Sequence, residues 1–378
     1  MKLEPDDPGA STAASLLRID LDAVARNYRL LKSKLGAARC AAAVKADAYG
    51  LGIARVAPVL VSEGCSTFFV ATIDEGIALR GILASSDVEI AVLNGVLPCC
   101  EKTFVEHGLI PVINDPGQID RWRLLTKRLG KPLDAILHVD TGMNRLGLSP
   151  SDLDRVAADP SVLTGPTWRY VMSHLASADD PGGVANEEQL ARFNDAVARL
   201  PRMSASLANS GGVFLGPRFH FDIARPGIAL YGGNPRGNAP NPMYQTIRLL
   251  GRILQVREVE PGTAVGYGGA HAVKSKTRVA TVAAGYADGY LRSSGDHGHV
   301  YIGQTRLPVI GRVSMDLITV DVTNASTADV EPGNFVELLG DQITPDDAAA
   351  SAGTISYEFL TNLGRRYHRS YVTPDGTT

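Results

Sequence analysis

Short apolar runs recur along the first two thirds of the chain, separated by longer stretches of mixed polarity. CAAAV, TFFVA, VEIAVLN, LIPVI, LDAILHV, WRYVMS, MSASLAN and FDIAR make eight such runs between Cys40 and Arg225. Each is short and apolar or β-branched, as strands covered on both faces are. A parallel connection needs a crossover of about a dozen residues or more, and the intervening segments supply it. Eight such units predict a closed (β/α)8 barrel, for which about 250 residues is usual. Ahead of them, LRIDLDAVARNYRLLKSKL sets Leu21, Val24, Tyr28, Leu31 and Leu35 at helical spacing, with Asp20 as its cap. Pro58 is expected to interrupt the helix after the first run, because it has no N–H to give a helix interior.

From about residue 240 the texture changes to strand runs punctuated by Gly, Pro, Asn and Asp: GRILQVREV, TRVATVAAG, HVYIG, TRLPVIGRV, DLITVDV and NFVELLG. They predict a mostly antiparallel β domain, closed by a short helix near TISYEFLTNL. YGGNPRGNAPNPMY, rich in Gly, Pro and Asn, marks the boundary. The expected organisation is a mobile N-terminal tail over 1–15, the barrel over 16–240 and the β domain over 241–378.

A length of 378 residues suits this division, since single cores stop growing near ~250–300 residues. The net charge of −3, with Lys and Arg scattered, argues against a nucleic-acid partner. No apolar run of ~18 residues suggests a membrane span, and the acidic start MKLEPDDPGASTAAS is unlike a signal peptide, so a cytoplasmic location is expected. Cys40, Cys65, Cys99 and Cys100 have neither disulfide-scaffold density nor metal-ligand spacing. GDHGH brings His297 and His299 together, but without a further ligand set it reads as a turn between strands and no metal is expected.

Barrel chemistry sits at the C-terminal ends of the strands, so the residue after each run is the one to inspect. Lys45 follows the first run, Asn94 ends the third, Thr141 to Arg145 follow the fifth and His174 the sixth. Asn209 and Ser210 follow the seventh, and Arg225 the eighth. NSGG and RPGI have small residues that let backbone N–H groups approach an anion, where barrels often hold phosphate. A lysine across the rim could form an imine with the aldehyde of a phosphorylated ligand, if desolvation and neighbouring cations keep part of it neutral. That combination suggests pyridoxal phosphate (PLP). Taken singly, Lys45 is a surface charge, NSGG a turn, Arg145 half of an ion pair and His174 a hydrogen-bonded core residue. Only their coincidence on one rim selects the cofactor reading.

AVKADAYG, DTGMNRLG, SHLASAD, RPGIALYG, VGYG, GYADGY, GRVSMD and ISYE, in this order from about residue 16 to 370, resemble the motifs of the PLP-dependent alanine racemase family. The resemblance implies a PLP-binding barrel followed by a β domain, in a head-to-tail homodimer acting on a small amino acid. It implies that Lys45 carries the imine and acts as one proton-transfer base, and that Tyr267 is the other, entering the site of the partner subunit. By the same resemblance Tyr49, Ser210, Gly227, Ile228 and Tyr357 surround the cofactor phosphate, with Asn209 beside them. Arg225 faces the pyridine nitrogen, and His174 stacks near the ring. Arg145 contacts the phenolic oxygen and influences substrate binding. Met315 and Asp316 come from the partner subunit to the substrate carboxylate region, and Tyr286 and Arg312 line the access passage.

One departure stands out. Many members of that family carry a carbamylated lysine seven residues before this arginine, and here the position is His138. No carbamate is expected, and water, an anion or His138 itself is left to orient Arg145. Two competing readings use related scaffolds: a broader racemase that accepts serine, since a pocket separates hydroxymethyl from methyl only modestly, and a PLP decarboxylase. The decarboxylase class calls for an acid at the pyridine nitrogen, where RPGI offers Arg225. A third, a PLP carrier protein, resembles the barrel half alone and leaves VGYG and GYADGY without a purpose.

Overall fold

The computed structural model describes residues 8–84 and 87–373. It divides into two compact bodies: Val24–Met243, and a second in which the described residues up to Ala23 join those from Tyr244 onward. The expected tail over 1–15 differs from this in part. Residues 1–7 lie outside the described residues, but Pro8–Thr12 forms a short helix and Ser15–Asp20 a strand (β1) of the second body. The barrel body therefore begins later than residue 16.

The first body contains strands β2 (Arg39–Cys40), β3 (Ala42–Ala43), β4 (Thr67–Val70), β5 (Glu89–Val92), β6 (Ile110–Ile113), β7 (Asp134–His138), β8 (Thr167–Met172), β9 (Ser204–Ser206) and β10 (Ile223–Ala224). β2 and β3, separated only by Ala41, are two pieces of one barrel strand, so the nine pieces make eight strands: β3 to β9 form one parallel sheet in chain order, and β10 pairs in parallel with β2. The N–H groups of Asp222 and Arg225 donate to the carbonyls of Ala205 (3.0 Å) and Ala208 (2.9 Å), which closes the (β/α)8 ring. Its interior mixes small and large side chains: Ala41, Ala43 and Ala91 against Phe69, Tyr170 and Met172. The helix Leu21–Leu35 buries Leu21, Val24, Tyr28, Leu31 and Leu35, and Asp20 caps it by accepting from the Ala23 N–H at 2.8 Å. Pro58 does not interrupt its helix, which runs Ile53–Ser62. Ala54, whose carbonyl loses its partner to the missing N–H, is exposed to water along with Pro58, so the loss is solvated.

The second body is a mostly antiparallel sheet. Its strands are β1 and β11 (Ile247–Val259), β12 (Ala264–Val265), β13 (His271–Ala272), β14 (Thr277–Ala283), β15 (His299–Ile302), β16 (Thr305–Pro308), β17 (Leu317–Asp321), β18 (Phe335–Leu339) and β19 (His368–Val372). The order β16-β15-β18-β11-β1-β19 is antiparallel except between β1 and β19, and β14 joins β11 to β17. β12 and β13 form a separate hairpin.

A polar knot lies at the N-terminal ends of the barrel strands. Glu89 accepts from Tyr170 Oη (2.6 Å), Thr67 Oγ1 (2.9 Å) and Arg169, and Arg39 donates to Tyr170 Oη at 2.8 Å. Burial acts to raise the Glu89 carboxyl, but the donors Tyr170, Arg169 and Thr67 outweigh it and hold the group below its ordinary value. A depressed folded pKa contributes stability above the unfolded value of ~4.3, and that contribution is lost as pH falls through the folded value. Glu89→Gln is therefore expected to cost about 1–3 kcal/mol near neutral pH, with the difference from wild type shrinking below about pH 4. Urea unfolding followed by tryptophan fluorescence checks this, because both tryptophans, Trp122 and Trp168, belong to the barrel body.

Candidate active site

Lys45 stands where the first barrel strand ends. The flanking N–H groups of Ala43 and Val44 donate to Pro226 and Phe69 carbonyls, each at 2.9 Å, so the backbone reaches the rim fixed on both sides. The chain then turns left-handed through four successive non-glycine residues, Ala46, Asp47, Ala48 and Tyr49, at φ of 53°, 55°, 55° and 54°. Each such residue costs roughly 1–2 kcal/mol against a right-handed turn. Bonds at its edges offset part of this: Ala48 N–H to Val44 (2.9 Å), Gly50 N–H to Ala46 (2.8 Å) and Ile53 N–H to the Asp47 carboxylate (2.7 Å). Burial, then the nearby Arg145 guanidinium, push the Lys45 ammonium below its usual value, and Glu75 opposes them.

Beside Lys45 on the rim, on the neighbouring strands, the NSGG and RPGI segments meet at Ser210. Its buried hydroxyl accepts from Gly227 N–H (2.8 Å) and Ala229 N–H (3.2 Å). With both lone pairs engaged, the hydroxyl hydrogen remains to be donated. Asn209 caps the following short helix by accepting from Gly212 N–H at 3.0 Å and donates to Leu175 at 3.2 Å. Gly227 is required by space: a methyl there would fall 2.2 Å from Tyr49 Oη. Tyr49 stacks on Tyr231, centroids 4.7 Å apart, and Tyr231 Oη donates to the Ala43 carbonyl at 2.9 Å. Ile228 opens the next turn and is buried.

Between these ends lies Arg225, buried and with no carboxylate partner among the described residues. It donates to Ser206 Oγ and to the Ser173 carbonyl (2.6 Å), and burial pushes its guanidinium down to about 10. His174 is pushed down to about 3 by burial and then by Arg225, Arg145, Lys45 and His138. All four of these groups therefore lie within electrostatic reach of His174. His138 is pushed down to about 4 by burial and by Arg225 and Arg145, against Asp140. Its Nδ1 lies 2.7 Å from Asn114 Oδ1. Asn114 Nδ2 donates to Leu93 and Val112 carbonyls (3.0 Å each), which makes its Oδ1 the acceptor and His138 Nδ1 the donor. His138 Nε2 is then left with a lone pair.

Arg145 rides on a loop that Asp140 organises by accepting from the N–H groups of Gly142 (2.9 Å), Met143 (3.0 Å) and Asn144 (3.2 Å), and its side chain is exposed. Thr141 bonds Ser173 (2.7 Å), and Gln189 donates to the His174 carbonyl (2.9 Å). Asn94 is exposed beyond β5 and takes no part in these contacts. The residue-after-strand rule that selects His174 also points to Asn114, which follows the fourth run, whereas Ser173 and Glu75 carry no such local signal.

The other candidates belong to the second body, where they gather on adjoining loops. Tyr267 opens a turn between β12 and β13 and is 69% exposed. That hairpin is tied through His271 Nδ1 (2.9 Å) to Asp296, which also accepts from Gly311 N–H (2.6 Å) beside Arg312. Tyr286 and Ala287 N–H groups donate to Ser314 and Met315 carbonyls, both at 3.0 Å, and a methyl on Gly285 would lie 2.3 Å from the Met315 oxygen. Asp316 accepts from Arg366 at 2.6 Å, and Arg366 also holds the buried Asp288 at 2.7 Å. Tyr357 lies in the helix Ser356–Thr361 and is exposed, as are Tyr286, Met315 and Ile355.

The barrel rim fits PLP by its donor set. The buried Arg225 has N–H groups available for an acceptor, the Ser210 hydroxyl and close-packed Gly227 leave room suited to an anion, and the Lys45 amine is pushed toward neutrality. Cations dominate the rim and depress one another, an imbalance that an anionic ligand relieves. Fold and rim together define a (β/α)8-barrel enzyme of the PLP-dependent class.

Comparison with known proteins narrows this. Residues 19–235 match the alanine racemase N-terminal domain and residues 246–371 the alanine racemase C-terminal domain. The chain is 48% identical over 360 residues to the alanine racemase of Rhodospirillum rubrum, covering 95% of this chain and 96% of that one. It is 47% identical over 362 residues to the catabolic alanine racemase of Mesorhizobium japonicum, covering 96% and 94%. Among solved structures it is similar to the alanine racemase of Bartonella henselae with covalently bound pyridoxal phosphate, at a TM-score of 0.92, 39% identity and coverage of 95% and 100%. The chain belongs to the alanine racemase family.

Proposed function

We propose that this chain interconverts L-alanine and D-alanine by removing the α-proton on one face of the substrate and returning a proton on the other, with Lys45 and Tyr267 of the partner subunit as the two bases. The observation that carries the reading is the clustering of Lys45, Arg145, His174 and Arg225 on one rim with the Ser210 cradle beside Lys45. When bound, PLP supplies an electron sink for the α-carbanion. Lys45 is its covalent attachment point, and its Nζ, pushed toward neutrality by burial and Arg145, can accept the α-proton. Arg225, still cationic at neutral pH, would donate a hydrogen bond to the ring nitrogen of the cofactor without surrendering its proton, a contact that would leave that nitrogen unprotonated and the sink moderate. His138 Nε2, an acceptor, is assigned to orient a rim donor, Arg145 first among them.

A homodimer is the assembly proposed. Tyr267, Ile355, Met315, Tyr286 and Tyr357 leave 69%, 61%, 53%, 43% and 42% of their surfaces exposed on one body, the kind of large apolar exposure that a partner subunit covers. Met315 and Asp316 serve the substrate carboxylate end; because Arg366 pairs with Asp316, its charge does not repel that carboxylate. Tyr286 and Arg312 line the approach. No helix among the described residues is long and apolar enough to cross a membrane. The free thiols of Cys40, Cys65, Cys99 and Cys100 support placing the chain in the cytoplasm.

The test is incubation of PLP-loaded protein with L-alanine in heavy water, with L-serine alongside, following enantiomers by chiral chromatography and α-deuterium by mass. Deuterated D-alanine with little D-serine is expected. Comparable yields of both D-amino acids would point to a broad racemase, and no exchange would sink the racemase reading.

A further inference from the structure

We propose that Glu75 is a positioning residue for Lys45: its carboxylate pins the first amide of the left-handed turn that carries Lys45 at one end and Tyr49 at the other. Glu75 opens the helix Ile73–Ile82 as the third residue of a capping box with Thr72. A capping-box glutamate ordinarily reaches back only to its own cap N–H. Here that bond, to Thr72 N–H, is the longest the carboxylate makes, at 3.3 Å. The two short ones, 2.7 Å each, run from Ala71 N–H, just past β4, to Oε2 and from Ala46 N–H, just past β3, to Oε1. Capping accounts for the Thr72 contact and leaves the Ala46 contact unexplained.

Joining Ala46 to Ala71 staples the rim ends of two neighbouring barrel strands. Ala46 N belongs to the same peptide unit as the Lys45 carbonyl, so the staple acts directly on the lysine. It also fixes the start of four strained residues whose last, Tyr49, places its hydroxyl against Gly227 in the phosphate cradle. One carboxylate thereby sets the spacing between the covalent attachment point and the anion site. Charge adds a second effect: burial and Arg145 drive the Lys45 nitrogen to shed its proton, and Glu75 is the anion that opposes them.

The proposal rests on the assignment of Lys45 to the cofactor, and its test separates the two. Glu75→Gln keeps the reach and an acceptor oxygen but removes the charge; Glu75→Asp keeps the charge but withdraws it by one methylene from Ala46. Both are compared with wild type as PLP-loaded enzymes, by hydrogen exchange of the peptide spanning 46–50, by pH titration of the bound cofactor's visible absorbance, and by borohydride reduction with peptide mapping. Glu75→Asp is expected to speed exchange over 46–50 by about tenfold or more. Glu75→Gln is expected to lower the absorbance midpoint by about one pH unit. A glutamate that only caps its helix would loosen the 71–76 peptide and leave both readouts at wild-type values, which overturns the proposal. Should Glu75→Gln fail to fold, the exchange result for Glu75→Asp decides alone. Reduction that leaves Lys45 unlabelled removes the assignment beneath it, whereas a labelled Lys45 with unchanged exchange and midpoint removes only the role of Glu75.

Discussion

Lys45→Ala is expected to lower kcat/KM for alanine in both directions by at least about 10⁴-fold, since it removes both the covalent attachment point and one of two proton-transfer groups. Borohydride reduction of wild type should fix the cofactor on the peptide containing Lys45, and reduction of the variant should fix none there. The loss is expected to be chemical. A lysine whose ammonium is disfavoured by burial and by Arg145 contributes nothing favourable to folding as a cation, so with the cofactor removed the variant should melt close to wild type. Lys45→Arg separates charge from basicity: a guanidinium with a pKa above ~12 keeps the cation but cannot accept the α-proton, and it should be as inactive as alanine. Partial recovery of Lys45→Ala by a small added amine would support the base role. Activity within tenfold of wild type would remove Lys45 from the mechanism.

What the sequence made legible here follows how local each signal is. All eight barrel strands could be read because a strand covered on both faces writes itself as a short apolar run, and parallel order leaves a helix-length gap after each. The rim followed from that reading, since the end of a strand needs no knowledge of distant partners. β1 could not be read in the same way: SLLRID is assigned by pairing with Ile247–Gly251 and His368–Val372, far along the chain, and locally it is the run-up to a helix. Glu75 carried only half a signal. T-x-x-E announces a cap, but nothing in that tetrapeptide shows the carboxylate reaching Ala46. His138 could be seen as a departure from a lysine, while its consequence, an Nδ1 donor held by Asn114, needed two strands side by side. Pro58 misled because the penalty for a proline depends on whether the abandoned carbonyl meets water.

Tyr267→Phe is expected to lower racemisation by about 10²–10⁴-fold, the usual worth of a positioned acid or base, while sparing proton exchange on the face that Lys45 serves. In heavy water one alanine enantiomer should therefore still take up α-deuterium with retained configuration, and the other should not. Full activity in both directions would remove Tyr267 from the chemistry. The larger consequence concerns assembly. If each site joins Lys45 of one subunit to Tyr267 of the partner subunit, a mixed dimer of Lys45→Ala and Tyr267→Phe chains has one site with both groups intact and one with neither. Random exchange of equal amounts makes half of the dimers mixed, and half of their sites are whole, so a mixture of two nearly inactive proteins should recover about one quarter of wild-type activity. A site built within one subunit predicts no recovery at all, because neither chain then owns both groups. The experiment decides whether the exposed tyrosine on the second body works at a distance from its own barrel or only beside it.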